Sequence, residues 1–438
     1  MTDKKILYVV HCIDTEGPLN ESLSATFERL RSIFNIEIEP NRENLQRIQN
    51  RQIDLGGQED AVAKCFSPEL LKYNRSWGDI DAMLSELLSA EFRLQQPDDF
   101  GGGWVYSWHC MDHVGLSDNP RSKDFGYGNI FNHYQEKLRE FGSTCDEINW
   151  HFHPLSLVRN PLHAATSYGN SFDVLTQILC RRVLDEGWFP VVNRPGFHAE
   201  RPDSHAFLEQ WLPFDYANQS GAGVVNQPDL SFGRFGDWER ASTSWRGYQP
   251  HHDDYQHEGL CRRRIFRCLN VGTRFRALTE RHVREAFSEA DARGAAILAF
   301  ADHDYRDMRP DVDVVRALLK TARADYPEVQ IKYAGAEAAA VALLGFEQKP
   351  EVELTMRLES NRLIVEVSKG EVFGPQPFLA IKTREGRYFH DNLDVIAPRQ
   401  KWSYILDDQT IPLEQVLELG VGSAGAHGGY SVAVQSMT

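Results

Sequence analysis

The chain has little of what builds a cross-linked, membrane-spanning or nucleic-acid-binding protein. Its 438 residues include seven cysteines, an odd number with no CxxC pair. A closed disulfide framework is therefore not expected, and a reducing compartment is. No apolar run approaches the roughly 20 residues of a membrane span. The opening MTDKKILYVVHCIDTEG places only ILYVV between its lysines and the next polar stretch, too little for the core of a secretory signal. A cytoplasmic location is the expectation. Basic residues are also outnumbered: 47 Lys and Arg against 63 Asp and Glu give a formal net charge of -16. Nucleic acid is then excluded as a partner, because binding it relies on basic side chains neutralising phosphates. No internal repeat or low-complexity tract is visible. The composition, 42% hydrophobic, suits a globular protein long enough for two domains.

Apolar runs alternate with helical patterns over most of the length. KILYVVHCID reads as a strand buried on both faces, as in a parallel sheet. In DIDAMLSELLSAEFR the apolar Ile80, Met83, Leu84, Leu87, Leu88 and Phe92 fall on one helical face. WVYSWHC, EINWHFHP, FPVVNRPG and AAILAFADHD read as further strands, with IFNHYQEKLREFG, DVLTQILCRRVLDEG, ERHVREAFSEADARG and VVRALLKTARADYP as helices. The class is α/β. After about Gly345 the texture becomes strict alternation around turn residues, in VELTMRLESNRLIVEVSKG and FLAIKTREGRYFH. The expected organisation is an α/β domain over 1–344, with an inserted region of about 20–102, and a small antiparallel β-domain, sandwich-like, over 350–438.

In parallel α/β folds functional groups collect where strands end. Here the strand ends carry Asp14 and Glu16; His109, Asp112 and His113; His151 and His153; Arg194; and Asp302, His303 and Asp304. In NWHFHP the two histidines lie two apart, so an extended backbone puts both imidazoles on one face. Two imidazoles and a carboxylate suit zinc or a similar divalent ion, and leave an open coordination position. Each feature also has a plain structural reading: an acid pair as a cap, Arg-Pro as an ion pair, HCMDH as a hydrogen-bonded strand end. CRRRIFR is either a diphosphate grip or a solvated face, and Trp104, Trp108, Trp150, Trp238 and Trp245 are either sugar-stacking surfaces or core.

IDTEGP, EINWHFHP, VVNRPGFHAE with FDYANQS, and LAFADHD resemble, in order and spacing, the motifs of the polysaccharide deacetylases of the NodB-homology type, carbohydrate esterase family 4. DHVGLSDNPRSKDFGYGNIFNHY and the β-tail resemble the WbmS-like members associated with surface-polysaccharide biosynthesis. The resemblance implies a distorted (β/α) barrel of the polysaccharide-deacetylase type and a hydrolase, using a divalent metal, zinc above others, to remove an N-acyl group, acetyl or formyl, from a sugar. The sugar partner would be an acylated amino sugar, free or linked to a nucleotide or lipid. Glu16 matches the metal acid before Gly-Pro, His151 the first metal histidine, Arg194 the arginine that orients the catalytic carboxylate, and His303 the late catalytic histidine. Two departures follow. Thr15 abuts the metal acid, so the base falls to Asp14. Leu155 stands where the second metal histidine is usual, so His153 takes its place, with His109 or His113 in reserve. Asp302 or Asp304 would fix the tautomer of His303. Two other readings stay open: hydrolysis of a non-sugar C–N bond, as in metal-free allantoinase-like relatives, and a catalytically dead carbohydrate-binding protein.

Overall fold

A computed structural model describes residues 4–163, 167–221, 236–273 and 276–437. Seven parallel strands close into a barrel: β1 (Lys5–Thr15), β2 (Tyr106–Cys110), β3 (Glu147–Phe152), β4 (Val192–Pro195), β5 (Phe214–Asn218), β8 (Arg264–Asn270) and β9 (Ala295–His303). A small hairpin, β6 (Pro250–His251) and β7 (Asp254–Glu258), lies between β5 and β8. The closing seam is β1. One edge pairs with β9 from Ile6↔Ala295 to Asp14↔His303. The other edge pairs first with β10 (Val329–Tyr333) and then, from His11↔Tyr106 to Thr15↔Cys110, with β2. An eleven-residue apolar strand is needed to serve three partners, and this change of neighbour is the distortion of the barrel.

Period-2 alternation divides β1 between two environments. His11 faces outward, stacked on Phe300 and accepting from Trp104 Nε1 at 3.1 Å. Cys12 and Asp14 face the interior, where Arg194 and Cys268 lie. The segment between β1 and β2 has two parts. Helices over Leu23–Phe34, Arg42–Gln49 and Glu59–Cys65 enclose a core of their own, including Phe27, Leu30, Ile48 and Val62. The helix Trp77–Leu87, started by a Ser76–Asp79 capping box, packs Ile80, Met83, Leu84 and Leu87 against the barrel. No helix among the described residues is long and apolar enough to cross a membrane.

The C-terminal β-domain comprises β11 (Glu353–Glu359), β12 (Arg362–Lys369), β13 (Phe378–Thr383), β14 (Tyr388–Asp391), β15 (Asp394–Ala397), β16 (Lys401–Ile405), β17 (Val416–Ala424) and β18 (Tyr430–Ser436). They form two antiparallel sheets, β11-β12-β16-β15 and β14-β13-β17-β18, around Leu363, Val365, Leu379, Ile381, Trp402 and Val421. Gly386, at φ +78°, makes the turn between β13 and β14. The second sheet docks on the barrel helix Phe172–Leu184, with Phe378, Ala380 and Tyr388 joining the barrel's own core. Gln177 Nε2 donates to the Tyr388 carbonyl at 2.7 Å. Close approach needs small residues: a Cβ on Gly422 would meet Phe189 at 2.7 Å and Val183 at 2.9 Å. Gly422→Val is expected to cost about 1–3 kcal/mol by overpacking. Limited proteolysis at 345–351 should accelerate and Tm should fall; an unchanged Tm and digestion pattern would show that the sheet is not docked through this face.

Candidate metal centre and its cavity

At the C-terminal end of β1 the backbone is held from two sides. Thr15 Oγ1 donates to the His109 carbonyl on β2 at 2.8 Å. Just past β9, Asp304 accepts from the backbone N–H groups of Glu16 and Gly17 at 2.9 Å each, and from the Tyr134 hydroxyl at 2.9 Å. Gly17, at φ +69°, turns the chain, and a side chain there would press on Trp77. The Glu16 side chain is thereby aimed at the histidines of β3. Its Oε2 lies 3.0 Å from Lys123 Nζ, and its Oε1 3.5 Å from His153 Nε2.

His151 Nδ1 lies 2.6 Å from the Arg194 carbonyl. That contact requires a proton on Nδ1 and leaves the Nε2 lone pair free. His153 Nε2 is 2.9 Å from His151 Nε2. Glu16, His151 and His153 each offer a ligand atom within 4.8 Å of the other two. Two ligands at about 2.05 Å from a tetrahedral ion are roughly 3.3 Å apart, and the 2.9 and 3.5 Å edges bracket that value. The donor set therefore fits a divalent cation, and this buried Glu/His/His cluster can bind one. Burial, above all, together with His153 and Arg194, holds His151 well below the ordinary histidine range. It is thus neutral and ligand-competent at neutral pH. Burial alone would raise Glu16, but Lys123 and the neighbouring histidines hold its carboxyl well below the usual range.

Beside this cluster Asp14 receives Arg194 Nε on Oδ1 at 2.6 Å, while its Oδ2 faces His303 Nε2 at 3.7 Å. Asp14, Glu16, His153 and His303 line one cavity of about 240 Å³. Burial pushes the His303 imidazole down to about 3, against the opposing pull of Asp14 and Glu16.

The other sequence candidates take supporting places. His109 is wholly buried, opposite Asp14 in the β1–β2 register, and does not join the cluster. His113 Nε2 donates to the Glu16 carbonyl at 2.8 Å. Asp112 pairs with Arg182 at 2.6 Å and accepts from Gly128 N at 2.5 Å. The expectation that Asp302 or Asp304 fixes the His303 tautomer fails. Asp302 accepts from the His303 backbone N–H, Asp304 serves the Glu16 turn, and His303 Nδ1 has no partner among the described residues. CRRRIFR is a solvated face only in part, with Arg262 exposed and Arg264 half-buried. Arg263 is fully buried between Glu200 and Asp215, and Arg267 lies over Trp245. The five tryptophans are all core residues.

Sequence reasoning missed Lys123, which lies in a polar stretch without periodicity, and His198, which stands 3.3 Å from Arg194 Nη2 and 2.7 Å from Gln219 Nε2. GFHAE carried the only signal, a histidine two residues after a glycine. Comparison with known proteins adds no constraint: no family model and no curated protein matches the chain.

The histidines generate a pH prediction. Burial pushes His11, His109, His113 and His303 each down to about 3, His205 to about 4, and His151 and His198 well below their usual range. Their folded pKa values are depressed, so the unfolded chain binds more protons below its own histidine pKa. Stability is fully present above about pH 6.5 and is lost as pH falls towards 4 and below, each histidine contributing up to about 1.4 kcal/mol per pH unit. Glu16 adds its own loss only below about pH 4.3. Thermal unfolding followed from pH 7 to pH 5 should show a steep fall in Tm; a flat profile would mean these rings already titrate in the folded protein.

Proposed function

We propose that this chain is a metal-dependent hydrolase that removes an N-acyl group, acetyl or formyl, from an amino sugar, as its resemblance to the polysaccharide deacetylases implies. The observation that carries the proposal is the convergence of Glu16, His151 and His153 beside an Arg194-bound Asp14, at a cavity lined by Asp14, Glu16 and His153. A divalent cation on the three ligands, zinc by the nitrogen and oxygen donor set, would supply Lewis-acid polarisation of the acyl carbonyl.

The chain's own groups divide the proton work. Asp14 Oδ1 is tied to Arg194, so Oδ2 is the oxygen that takes a proton from the attacking water. Arg194 fixes the orientation of that carboxylate and, through its carbonyl, the tautomer of His151. His303 is neutral at rest, held so by burial. It must therefore first gain the proton that it hands to the leaving nitrogen, and Asp14 Oδ2 is the nearest carboxylate oxygen to its Nε2, at 3.7 Å. The three convergent ligands favour this reading over a metal-free C–N hydrolase.

Purified protein should hold one zinc-like ion and release acetate or formate from N-acyl amino sugars. Asp14→Asn should lower turnover by roughly a hundredfold or more while metal stays bound. Glu16→Gln should instead weaken metal binding, because a neutral amide is a poor ligand. Metal loss in Asp14→Asn with retention in Glu16→Gln would reverse the two roles, and full activity in both variants would remove the proposal's support.

A further inference from the structure

Away from the metal cluster, the cavity wall carries positive charge that its acids do not fully balance. Glu21, buried, serves two arginines: its Oε1 accepts from Arg29 Nε and from Arg121 Nε at 3.0 Å each, and its Oε2 from Arg29 Nη2 at 2.9 Å. One carboxylate thus answers two guanidiniums. Arg121 is engaged only through Nε among the described residues, which leaves its two terminal nitrogens without a hydrogen bond. Arg306, three residues after His303, lies over the Tyr305 ring at 5.0 Å. Its Nε is buried with no partner, and its guanidinium pairs with no carboxylate among the described residues.

Arg121 and Arg306 both line the cavity that holds Glu16 and His303. The Tyr73 hydroxyl donates at 3.5 Å to the Glu21 carboxylate that holds Arg121, and its ring lies 6.1 Å from the Tyr305 ring under Arg306, so the two charges converge on one stretch of wall. The acids whose fields reach Arg306 include Asp302 and Asp311. Neither pairs with it among the described residues: Asp302 Oδ1 accepts from the His303 backbone N–H and its Oδ2 has no partner there, while burial pushes both carboxyls above the usual range. Like charges converging in a partly desolvated wall repel unless an anion lies between them.

We propose that Arg121 and Arg306 form a phosphate subsite of this cavity, so that the sugar enters as a phosphate ester with its acyl group at the Glu16, His151 and His153 end. Two fixed guanidiniums match the near-double charge and several acceptor oxygens of a phosphate better than the single charge of a carboxylate. Placement of the acyl end rests on the hydrolase reading, whereas the anion subsite is testable without turnover.

The test is calorimetry on chelator-treated protein, so that no metal recruits the anion. The probes are inorganic pyrophosphate, N-acetylglucosamine 1-phosphate, uridine-diphosphate-linked N-acetylglucosamine, N-acetylglucosamine and methyl glucuronide. The phosphates should bind and the neutral sugar should bind at least about tenfold more weakly, as expected for charge-assisted hydrogen bonds. Arg306→Gln, which breaks no side-chain hydrogen bond among the described residues, should weaken phosphate binding about tenfold, and Arg121→Gln similarly, with Arg306→Lys in between. Zinc titration of Arg306→Gln should match the parent. A uridine-diphosphate-linked sugar binding more tightly than the 1-phosphate points to a nucleotide-linked source, and equal binding to a lipid-linked or simple phosphate. Equal binding of phosphates by the parent and both Gln variants, no phosphate binding at all, or tighter binding of methyl glucuronide would overturn the subsite. Loss of acyl release with phosphate binding intact would instead count against the hydrolase reading alone.

Discussion

A single guanidinium without access to water holds the two halves of the site together. Arg194 is fully buried at the end of β4. Its Nε binds Asp14, its carbonyl receives the Nδ1 proton of His151, and its Nη1 donates to the Tyr216 carbonyl at 3.1 Å. A buried charge is tolerated only when paired and hydrogen-bonded, and removing one partner leaves the other uncompensated at a cost of several kcal/mol. Arg194 and Asp14 are therefore mutually dependent. The consequence reaches beyond stability, because the same residue selects which Asp14 oxygen stays free and which His151 nitrogen keeps its lone pair.

The seam in the barrel gives that pair its surroundings. Asp14 is in register with His303 on β9 and with His109 on β2, so one aspartate stands between two imidazoles without any loop having to fold over it. Glu16, two residues on, has left the strand and needs other support. Asp304 fixes its backbone, His113 its carbonyl, and Lys123 one carboxylate oxygen. With Oε2 bound to an ammonium, Oε1 is the oxygen presented to the histidines. The lysine has an opposite effect as well, since it places a positive charge beside the cation that Glu16 would hold. Glu16 must then act as ligand with part of its charge already engaged.

Local periodicity carried the parts of this arrangement that could be read without a structure. HFH placed two rings on one face because strand geometry alone dictates it, and the alternating tail gave two antiparallel sheets for the same reason. Period-2 alternation also separates Asp302 from His303, since neighbours on a strand face opposite ways, and Asp302 accordingly turns from the cavity. What stayed hidden depended on distant elements meeting. Lys123 reaches Glu16 across more than a hundred residues, and no spacing rule links them. The arginines of CRRRIFR looked like a surface run, because sequence cannot show that Glu200 and Asp215 would enclose one of them.

The charge distribution gives the cavity a character that the whole chain lacks. A molecule with formal charge -16 repels an approaching anion, but at physiological salt that repulsion is screened within about 8 Å of the surface. Inside the cavity wall screening is weaker, and fixed guanidiniums act over short distances in a lower dielectric. Capture of an anionic ligand there would owe little to long-range steering. It would depend instead on contacts made after entry, and so on the rate of escape more than the rate of encounter. The acidic exterior would then work as a filter: extended polyanions, which must lie along the surface, are excluded, while a small phosphate ester able to enter the cavity meets the opposite sign of charge.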